Sequence, residues 1–244
     1  MAEPCVQSIG NLHRRPFHVC QHTSHHESSP GGDWRLHELE KLTSAAMRQL
    51  LDEGTRTAVV PFGSIEHHGG HLPVGTDALL ADVIGRDVAE RLGAVLAPTQ
   101  RIGDADRHLN QDGTLTLGTG TSTAVAVAIA RSLARQGFRL IVLLSAHGGN
   151  LPALRAAVEQ LTGELPEGAV VCSPEGDVGT DPGTHSGEWI TSVMLSLYPD
   201  LVHLGPADRR LARELRSASS QRGREHLERF VGSVVREVDA PATS

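Results

Sequence analysis

The chain has 244 residues, of which 39% are hydrophobic and only 3% aromatic, so its core should be built mainly from aliphatic side chains. The formal net charge is -7 and no basic run stands out, which argues against nucleic acid or an anionic membrane as the main partner. The sequence contains neither a long apolar span nor a signal-peptide pattern, and its three cysteines make no disulfide framework, so we expect a cytoplasmic protein.

Residues 1–32 are rich in His, Ser, Pro and Gly and show neither helical nor strand periodicity. They predict a disordered extension, followed by a single domain over residues 33–244. The histidines of this extension and Cys20 are an alternative metal site, but their spacing matches no closed zinc site.

From residue 33 onward, helix and strand patterns alternate. Helices are predicted over 44–53, 77–92 and 122–136, and Asn150 is placed to cap a further helix that has Pro152 in its first turn. Strands are predicted over 57–62, 94–97, 114–117, 140–144 and 169–172, and residues 206–238 predict one or two covering helices. The alternation predicts an α/β fold in which helices cover both faces of a mostly parallel sheet.

Metal-ligating side chains follow two of the predicted strands. Glu66 and His68 lie two positions apart, so an extended backbone would direct both to the same face. Asp77 begins the next helix, and His147 follows the most apolar strand. Taken singly, Asp77 fits a helix cap and His147 a hydrogen-bonded turn residue. Because ligands bind beyond the carboxyl ends of parallel strands, the four together predict a site for zinc, manganese or iron rather than calcium.

Further candidate residues lie in or near a third polar run, residues 183–188. The imidazole of His185 is a candidate proton donor, because imidazoles exchange protons near neutral pH. Glu188 is a candidate second-metal ligand or general base, with a first-turn helix residue favoured by the helix dipole as the alternative. His108 and Trp189 are candidate substrate-binding residues of the pocket wall, although a helical tryptophan more often belongs to the core.

Three runs carry a recognisable pattern: Gly63-Ser64-Ile65-Glu66-x-His68-Gly69-x-His71-Leu72-Pro73-x-Gly75-Thr76-Asp77, His147-Gly148-Gly149-Asn150 and His185-Ser186-Gly187-Glu188. Together with Asp112-Gly113-Thr114 after His108, they resemble the creatininase family, the creatinine amidohydrolase-like proteins, over about residues 40–204. The resemblance implies a three-layer α/β/α domain with a two-metal site, usually assembled as a homohexamer. It also implies the metal ligands Glu66, His68, Asp77, which bridges the ions, and His147, and it assigns His185 to proton transfer or substrate contact.

The sequence departs from the family pattern at several positions. His67 and Gly70 replace a usual Gln and Pro, which leaves the ligand positions intact but changes their surroundings. Gly149 stands where creatininase itself has a Glu, which argues against creatinine as the substrate. Ile190 stands where the family usually has a Glu. The second ion is therefore expected to bind weakly or not at all, unless Glu188 supplies the missing ligand.

Divalent ions can activate water and polarise a carbonyl, so hydrolysis needs no Ser or Cys nucleophile. We therefore predict a metal-dependent amidohydrolase that cleaves a C–N bond in an amide, cyclic amide or formamide. It would use one or two ions per subunit, zinc first and manganese or iron(II) as alternatives, and act on a small molecule or short peptide as a homo-oligomer. Two alternatives stay open: a peptidase that trims a short or ribosomally made peptide, and a non-catalytic member that serves as a binding or assembly subunit.

Overall fold

A five-stranded parallel sheet lies at the centre of the fold. The structure is a computed structural model that describes residues 36–166, 169–176, 185–205, 213 and 215–240. The predicted extension over 1–32, residues 183–184 of the third polar run, and residues 206–212 and 214 of the predicted helical segment lie outside the described residues. The strands are β1 (His37–Glu38), β2 (Thr57–Phe62), β3 (Val95–Leu96), β4 (Leu140–Ser145) and β5 (Val170–Cys172), in the order β1-β3-β2-β4-β5.

The two long strands, β2 and β4, form the middle of this sheet. They pair in parallel over six residues, from Thr57 opposite Leu140 to Phe62 opposite Ser145. Both strands consist mainly of β-branched and aliphatic residues and are buried almost throughout, as expected for strands covered on both faces. The parallel sheet that the sequence predicts is confirmed.

In the part of the chain that the structure describes, six α-helices cover the sheet: α1 (Ser44–Asp52), α2 (Thr76–Arg91), α3 (Gly118–Gln136), α4 (Leu151–Leu161), α5 (Glu188–Leu197) and α6 (Ser220–Asp239). One apolar cluster joins α1, α3 and α4 to one face of the sheet, and a second joins α2, α5 and α6 to the other face. The predicted three-layer α/β/α architecture is therefore confirmed. Among the described helices, none has the length and apolar character needed to span a membrane.

The predicted strand over 114–117 is wrong. This segment forms a single antiparallel bridge, between Leu115 and Ile65, and Leu115 is exposed. The side chains of the two threonines hydrogen-bond neighbouring loops instead: Thr114 Oγ1 accepts from the backbone N–H of His67, and Thr116 Oγ1 from that of Ala105. Because threonine can serve either a sheet or a loop, β propensity alone did not distinguish the two.

Asn150 occupies the predicted N-cap position of α4, which begins at the next residue and has Pro152 in its first turn. The side chain of Asn150 makes no capping hydrogen bond. It donates instead to the backbone oxygen of Gly63 and accepts from the backbone N–H of Asp104. The side chain therefore connects the loops of Gly63 and Asp104 instead of capping the start of α4.

The chain leaves β2 and β4 in opposite directions, which places a crevice between their carboxyl ends. The helix after β2, α2, packs on one face of the sheet, whereas the helix after β4, α4, packs on the other. Adjacent parallel strands with this arrangement mark the usual ligand-binding position of open α/β sheets. Since Phe62 and Ser145 are paired at the ends of these strands, the two polar loops that follow begin side by side.

Candidate metal centre

Five metal-ligating side chains meet in this crevice. Glu66 and His68 lie in the loop after β2, Asp77 in the first turn of α2, His147 directly after β4, and His185 shortly before α5. They form two groups whose ligand atoms lie within 4.8 Å of one another: Glu66 with Asp77 and His147, and Glu66 with His68 and His185. The side chains of Glu66, His68 and Asp77 are buried, and that of His185 is the most exposed of the five.

Local packing explains why Asp77 comes so close to the loop after β2. A Cβ on Gly63 would lie 2.5 Å from Cα of Ala78, so only glycine lets the start of α2 approach the loop this closely. The loop closes on itself where the backbone N–H of Glu66 donates to the carbonyl of Val74. Glycine at this position therefore brings the carboxylates of Glu66 and Asp77 into one site.

The imidazole rings of His68 and His147 are each fixed by a backbone carbonyl and a carboxylate. Nδ1 of His68 lies 3.2 Å from the backbone oxygen of Glu66, and its Nε2 lies 3.1 Å from Oδ1 of Asp77. Nε2 of His147 lies 2.8 Å from the backbone oxygen of Asp104, and its Nδ1 lies 2.9 Å from Oδ2 of Asp77. In each ring one nitrogen donates to a carbonyl, so the other nitrogen is oriented toward a carboxylate.

The third imidazole, His185, repeats this pattern. Its Nε2 lies 2.6 Å from the backbone oxygen of His67, and its Nδ1 lies 3.5 Å from Oε1 of Glu66. On its other side the ring stacks on His108, with centroids 4.2 Å apart and an interplanar angle of 21°. The structure thus places His108 against His185 at the mouth of the site. Burial lowers the pKa of His185.

The charges of the centre are strongly coupled. Burial opposes ionisation of Asp77, but hydrogen bonds with His147 and His68 hold the pKa of this carboxyl well below its usual range. Burial likewise opposes protonation of His147, yet Asp77 raises its pKa to about 9. Burial raises the pKa of Glu66. A site of this composition suits a cation, which would replace the protons that the imidazoles and carboxylates otherwise share.

One carboxylate oxygen of Glu66 has no hydrogen-bond partner within the part of the chain that the structure describes. Oε1 of Glu66 is buried and accepts no hydrogen bond there, whereas Oε2 accepts one from the hydroxyl of Ser64 at 3.2 Å. An unsatisfied buried carboxylate oxygen is costly, and a bound cation relieves that cost. The residues present therefore fit a divalent metal.

Sequence reasoning missed the residues that position these side chains. Asn150 joins Gly63 and Asp104, at 3.0 and 2.8 Å, and Asp104 in turn fixes His147 through its carbonyl. The place of Asn150 in the second motif was a signal, although it was interpreted as a helix cap. Asp104 acts through its backbone, so its side-chain identity offered no signal at all.

His71 connects the first motif to α5. The side chain is buried, and its Nε2 lies 3.0 Å from the hydroxyl of Thr191. Burial lowers the pKa of His71, which favours the neutral imidazole. The contact therefore links the loop that carries Glu66 and His68 to the helix that follows His185.

The structure places Glu188 in neither metal-ligand group. Its carboxylate accepts hydrogen bonds from Nε of Arg222 at 2.7 Å and from the hydroxyl of Ser192 at 2.6 Å, and Nε2 of His226 lies 3.2 Å away. These contacts join the start of α5 to α6. They correspond to the alternative in which Glu188 is a first-turn helix residue.

Trp189 and Ile190 belong to α5 and pack against the apolar cluster that α5 shares with α6. The indole of Trp189 stacks on His226, with centroids 5.9 Å apart, and meets Phe230 edge-on. Ile190 is partly buried against the same cluster and has no ligand atom to offer. The position at which the family usually carries a Glu is therefore apolar here.

A family model described as creatinine amidohydrolase matches residues 40–238. The chain belongs to the creatininase family. The resemblance seen in the three motifs is thereby confirmed.

Among curated creatininase relatives, the mycofactocin precursor peptide peptidase of Mycobacterium ulcerans is 37% identical over 154 residues, 59% of each chain. That alignment spans less than two thirds of the relative's own length. The protein of the same name from Mycobacterium tuberculosis is 36% identical, covering 73% of this chain and 70% of its own. The creatinine amidohydrolase of Pseudomonas putida is 32% identical, covering 67% of this chain and 73% of its own.

Solved creatininase structures match the fold closely. A manganese form, at 27% sequence identity, has a TM-score of 0.66, and a mutant described as the Zn–Zn type has a TM-score of 0.67 at the same identity. Each match covers 85% of this chain and 100% of the other. These family members therefore include zinc and manganese forms.

Proposed function

We propose that this creatininase-family chain is a metal-dependent amidohydrolase that cleaves the C–N bond of an amide, cyclic amide or formamide. The observation that carries the proposal is the meeting of two carboxylates and three imidazoles at the carboxyl ends of β2 and β4. Glu66, His68, Asp77 and His147 would hold the metal, as the family resemblance implies. Zinc or manganese is the proposed ion, supported by the zinc and manganese forms of related structures.

When bound, divalent ions supply an acidified water and a polarised carbonyl. The chain's own residues hold and orient the reacting groups. Asp77 contacts both His68 and His147, so it fixes the relative position of the two imidazoles. His108 stacks on His185 and so brings a further imidazole beside the ligand groups, from which a proton can pass to the leaving nitrogen. Neither Glu188 nor Trp189 contacts the reacting groups in this proposal.

A peptidase is the second candidate function. Relatives named as precursor peptide peptidases are 36–38% identical, compared with 32% for a creatinine amidohydrolase. Gly149 also replaces a Glu of creatininase itself. Leu109, which follows His108, and Leu115, which pairs with Ile65 next to Glu66, each expose more than half of their surface. Exposed apolar side chains adjacent to site residues suit a peptide with apolar side chains better than a small polar ring.

Hydrolysis assays on protein prepared without a tag test both candidates. Protein stripped with a chelator should be inactive, and added Zn²⁺ or Mn²⁺ should restore cleavage of at least one class in a panel of cyclic amides, formamides and short peptides. Asp77→Asn should lower kcat/KM at least about 100-fold, the upper end of what loss of a ligand's partner costs. Arg155→Gln, which removes only a surface ion pair with Glu175, should match the wild type.

The panel also separates catalysis from simple binding. Cleavage confined to peptides would favour the peptidase. Protein that binds metal but cleaves nothing in the panel would contradict hydrolysis and favour the non-catalytic binding or assembly subunit.

We further propose a cytoplasmic homo-oligomer in which residues 33–244 form one domain. The hexamer is implied by family resemblance, and the location by a content of only three cysteines. Light scattering coupled to size-exclusion chromatography would test the hexamer, which predicts six times the 26.0 kDa chain mass. A monomer in that measurement would contradict the assembly without affecting the metal centre.

A further inference from the structure

A second metal ion in this site would need ligands other than a Glu after the third motif. That position is Ile190, which packs against the apolar cluster of α5 and α6. The nearest carboxylate in sequence, Glu188, is held by Arg222 and His226. Neither residue supplies a ligand, so a second ion must be held by what remains in the crevice.

We propose that a second divalent ion is held by Glu66, His68 and His185, which makes His185 a metal ligand instead of the proton donor that its sequence position predicts. The ligand atoms of these three residues lie within 4.8 Å of one another. The first ion would then lie with Glu66, Asp77 and His147, the other group that the structure brings together. The inference rests on the proposed metal-dependent function and deepens it.

The orientation of His185 is the first argument. Its Nε2 lies 2.6 Å from the carbonyl of His67, which makes that nitrogen the protonated one and leaves the lone pair of Nδ1 facing Glu66. His68 and His147 show the same arrangement, each with one nitrogen on a carbonyl and the other toward a carboxylate. Metal-bound histidines commonly have this arrangement, because the second hydrogen bond fixes the tautomer and the ring.

The two oxygens of Glu66 are the second argument. Oε2 faces the first group, where it lies 3.3 Å from Nε2 of His147. Oε1 faces the second group, where it lies 3.5 Å from Nδ1 of His185, and it accepts no hydrogen bond from any described residue. Each group therefore has its own Glu66 oxygen, and the one beside His185 is the oxygen that needs a cation.

The backbone after His185 is the third argument. Ser186 has a φ of 63°, the only non-glycine residue with a positive φ in the part of the chain that the structure describes. A non-glycine residue in the left-handed region is strained and persists where the surroundings impose it. Here the strained turn directly follows His185 and sets its imidazole beside Glu66, while His108 only stacks on the ring.

Zinc titration of chelator-stripped protein, followed by calorimetry, tests the proposal without an activity assay. The wild type should bind two Zn²⁺ per chain, and His185→Gln should bind one tightly, with affinity for the second reduced at least about 100-fold. His108→Gln is the matched control, since it removes the neighbouring imidazole of the stack but no ligand, and it should still bind two. Thermal melts of the stripped proteins check that both variants fold.

Replacement of zinc by Co²⁺ gives a second measurement, because the visible absorption of Co²⁺ reports on its ligands. His185→Gln should lose the part of the spectrum that appears with the second equivalent, and His108→Gln should keep it. Two tightly bound ions with an unchanged spectrum in His185→Gln, or a wild type that binds a single ion, would overturn the inference and leave the proposed function standing. A wild type that binds no ion would instead overturn the proposed function itself.

Discussion

Gly149 lies directly against the imidazole of His147, where the present arrangement leaves no room for a side chain. A Cβ at this position would lie 2.3 Å from Nε2 of His147 and 2.4 Å from the carbonyl oxygen of Asp104. These two atoms make the hydrogen bond that orients the ring. A creatininase-type Glu at this position would therefore require the loop to move.

We predict that Gly149→Ala lowers the affinity for the first metal ion about 10- to 100-fold, the usual effect of disturbing a ligand's hydrogen bond. Competition with a chromophoric chelator measures this affinity. Gly148→Ala is a matched control, because a Cβ there meets no atom within 4 Å. Equal losses in both variants would mean that the glycine turn, and not the contact with His147, is responsible.

Side-chain chemistry made four residues of the centre predictable from sequence, whereas their supports were not. Glu66 and Asp77 stood out because carboxylates near strand ends and glycines are rarely needed for packing. Asp104 holds His147 through a carbonyl that any residue would provide. Asn150 was visible in its motif, but a polar residue before a helix is more often a cap than a connector between loops.

Among the elements, α5 and α6 depend on close approach and on one ionic contact. A Cβ on Gly223 of α6 would lie 1.9 Å from the carbonyl oxygen of Ser192 in α5, so the helices touch backbone to backbone there. At the same end, Glu188 of α5 meets Arg222 and His226 of α6. This contact fixes the start of α5, only three residues after His185.

The contact makes stability depend on pH. Burial opposes ionisation of Glu188, but hydrogen bonds with Arg222, Ser192 and His226 lower its pKa to about 2. Because the pKa is lower in the folded protein than in the unfolded chain, the contact stabilises the fold above the unfolded value of about 4.3. That contribution is lost as the pH falls from there toward 2.

We predict that Glu188→Gln is less stable than the wild type at pH 7 by about 1 kcal/mol at most, since Arg222 is half exposed to solvent. The difference should shrink as the pH falls below about 4. Urea unfolding at several pH values measures it. Glu164→Gln, which removes an exposed pair with Arg131, should differ little from the wild type at any pH. A Glu188→Gln deficit that is constant with pH would contradict the assignment.

Elements with strong periodicity were predictable, and those that depend on distant partners were not. The sequence pattern located β2 and β4 to within a residue, because each is a long apolar run. The start of α3 at Gly118 was missed, since two glycines in its first turn disguise the helix. The two-residue strand β1 forms only because it pairs with β3, a contact that no local pattern reveals.

At the scale of the whole molecule, the metal centre lies where the order of the sheet reverses, and it connects both helical layers. Asp77 belongs to α2 on one face, whereas His147 precedes α4 on the other. Alternation of helices and strands was sufficient to predict this three-layer architecture. Because an ion bound by these residues contacts both layers, its binding should stabilise the entire fold.

We predict that metal raises the melting temperature. An ion that binds only the folded protein, at 100 times its dissociation constant, adds about 2.7 kcal/mol, which for a chain of this size is roughly 5–10 °C. Thermal melts of stripped protein with and without Zn²⁺ measure the shift. Zn²⁺ should raise the melting temperature of Asp77→Asn much less than that of the wild type. It should raise that of the surface variant Arg155→Gln as much as that of the wild type. A shift of equal size in Asp77→Asn would mean that zinc binds elsewhere.

Anomalous diffraction from a crystal of the metal-loaded protein, recorded at the absorption edge of the bound element, tests the central claim most directly. We predict two peaks in the crevice between β2 and β4, each about 2.0–2.3 Å from its ligand atoms. One peak should lie with Glu66, Asp77 and His147, and the other with Glu66, His68 and His185. A crystal with no anomalous peak among these five side chains would contradict the account.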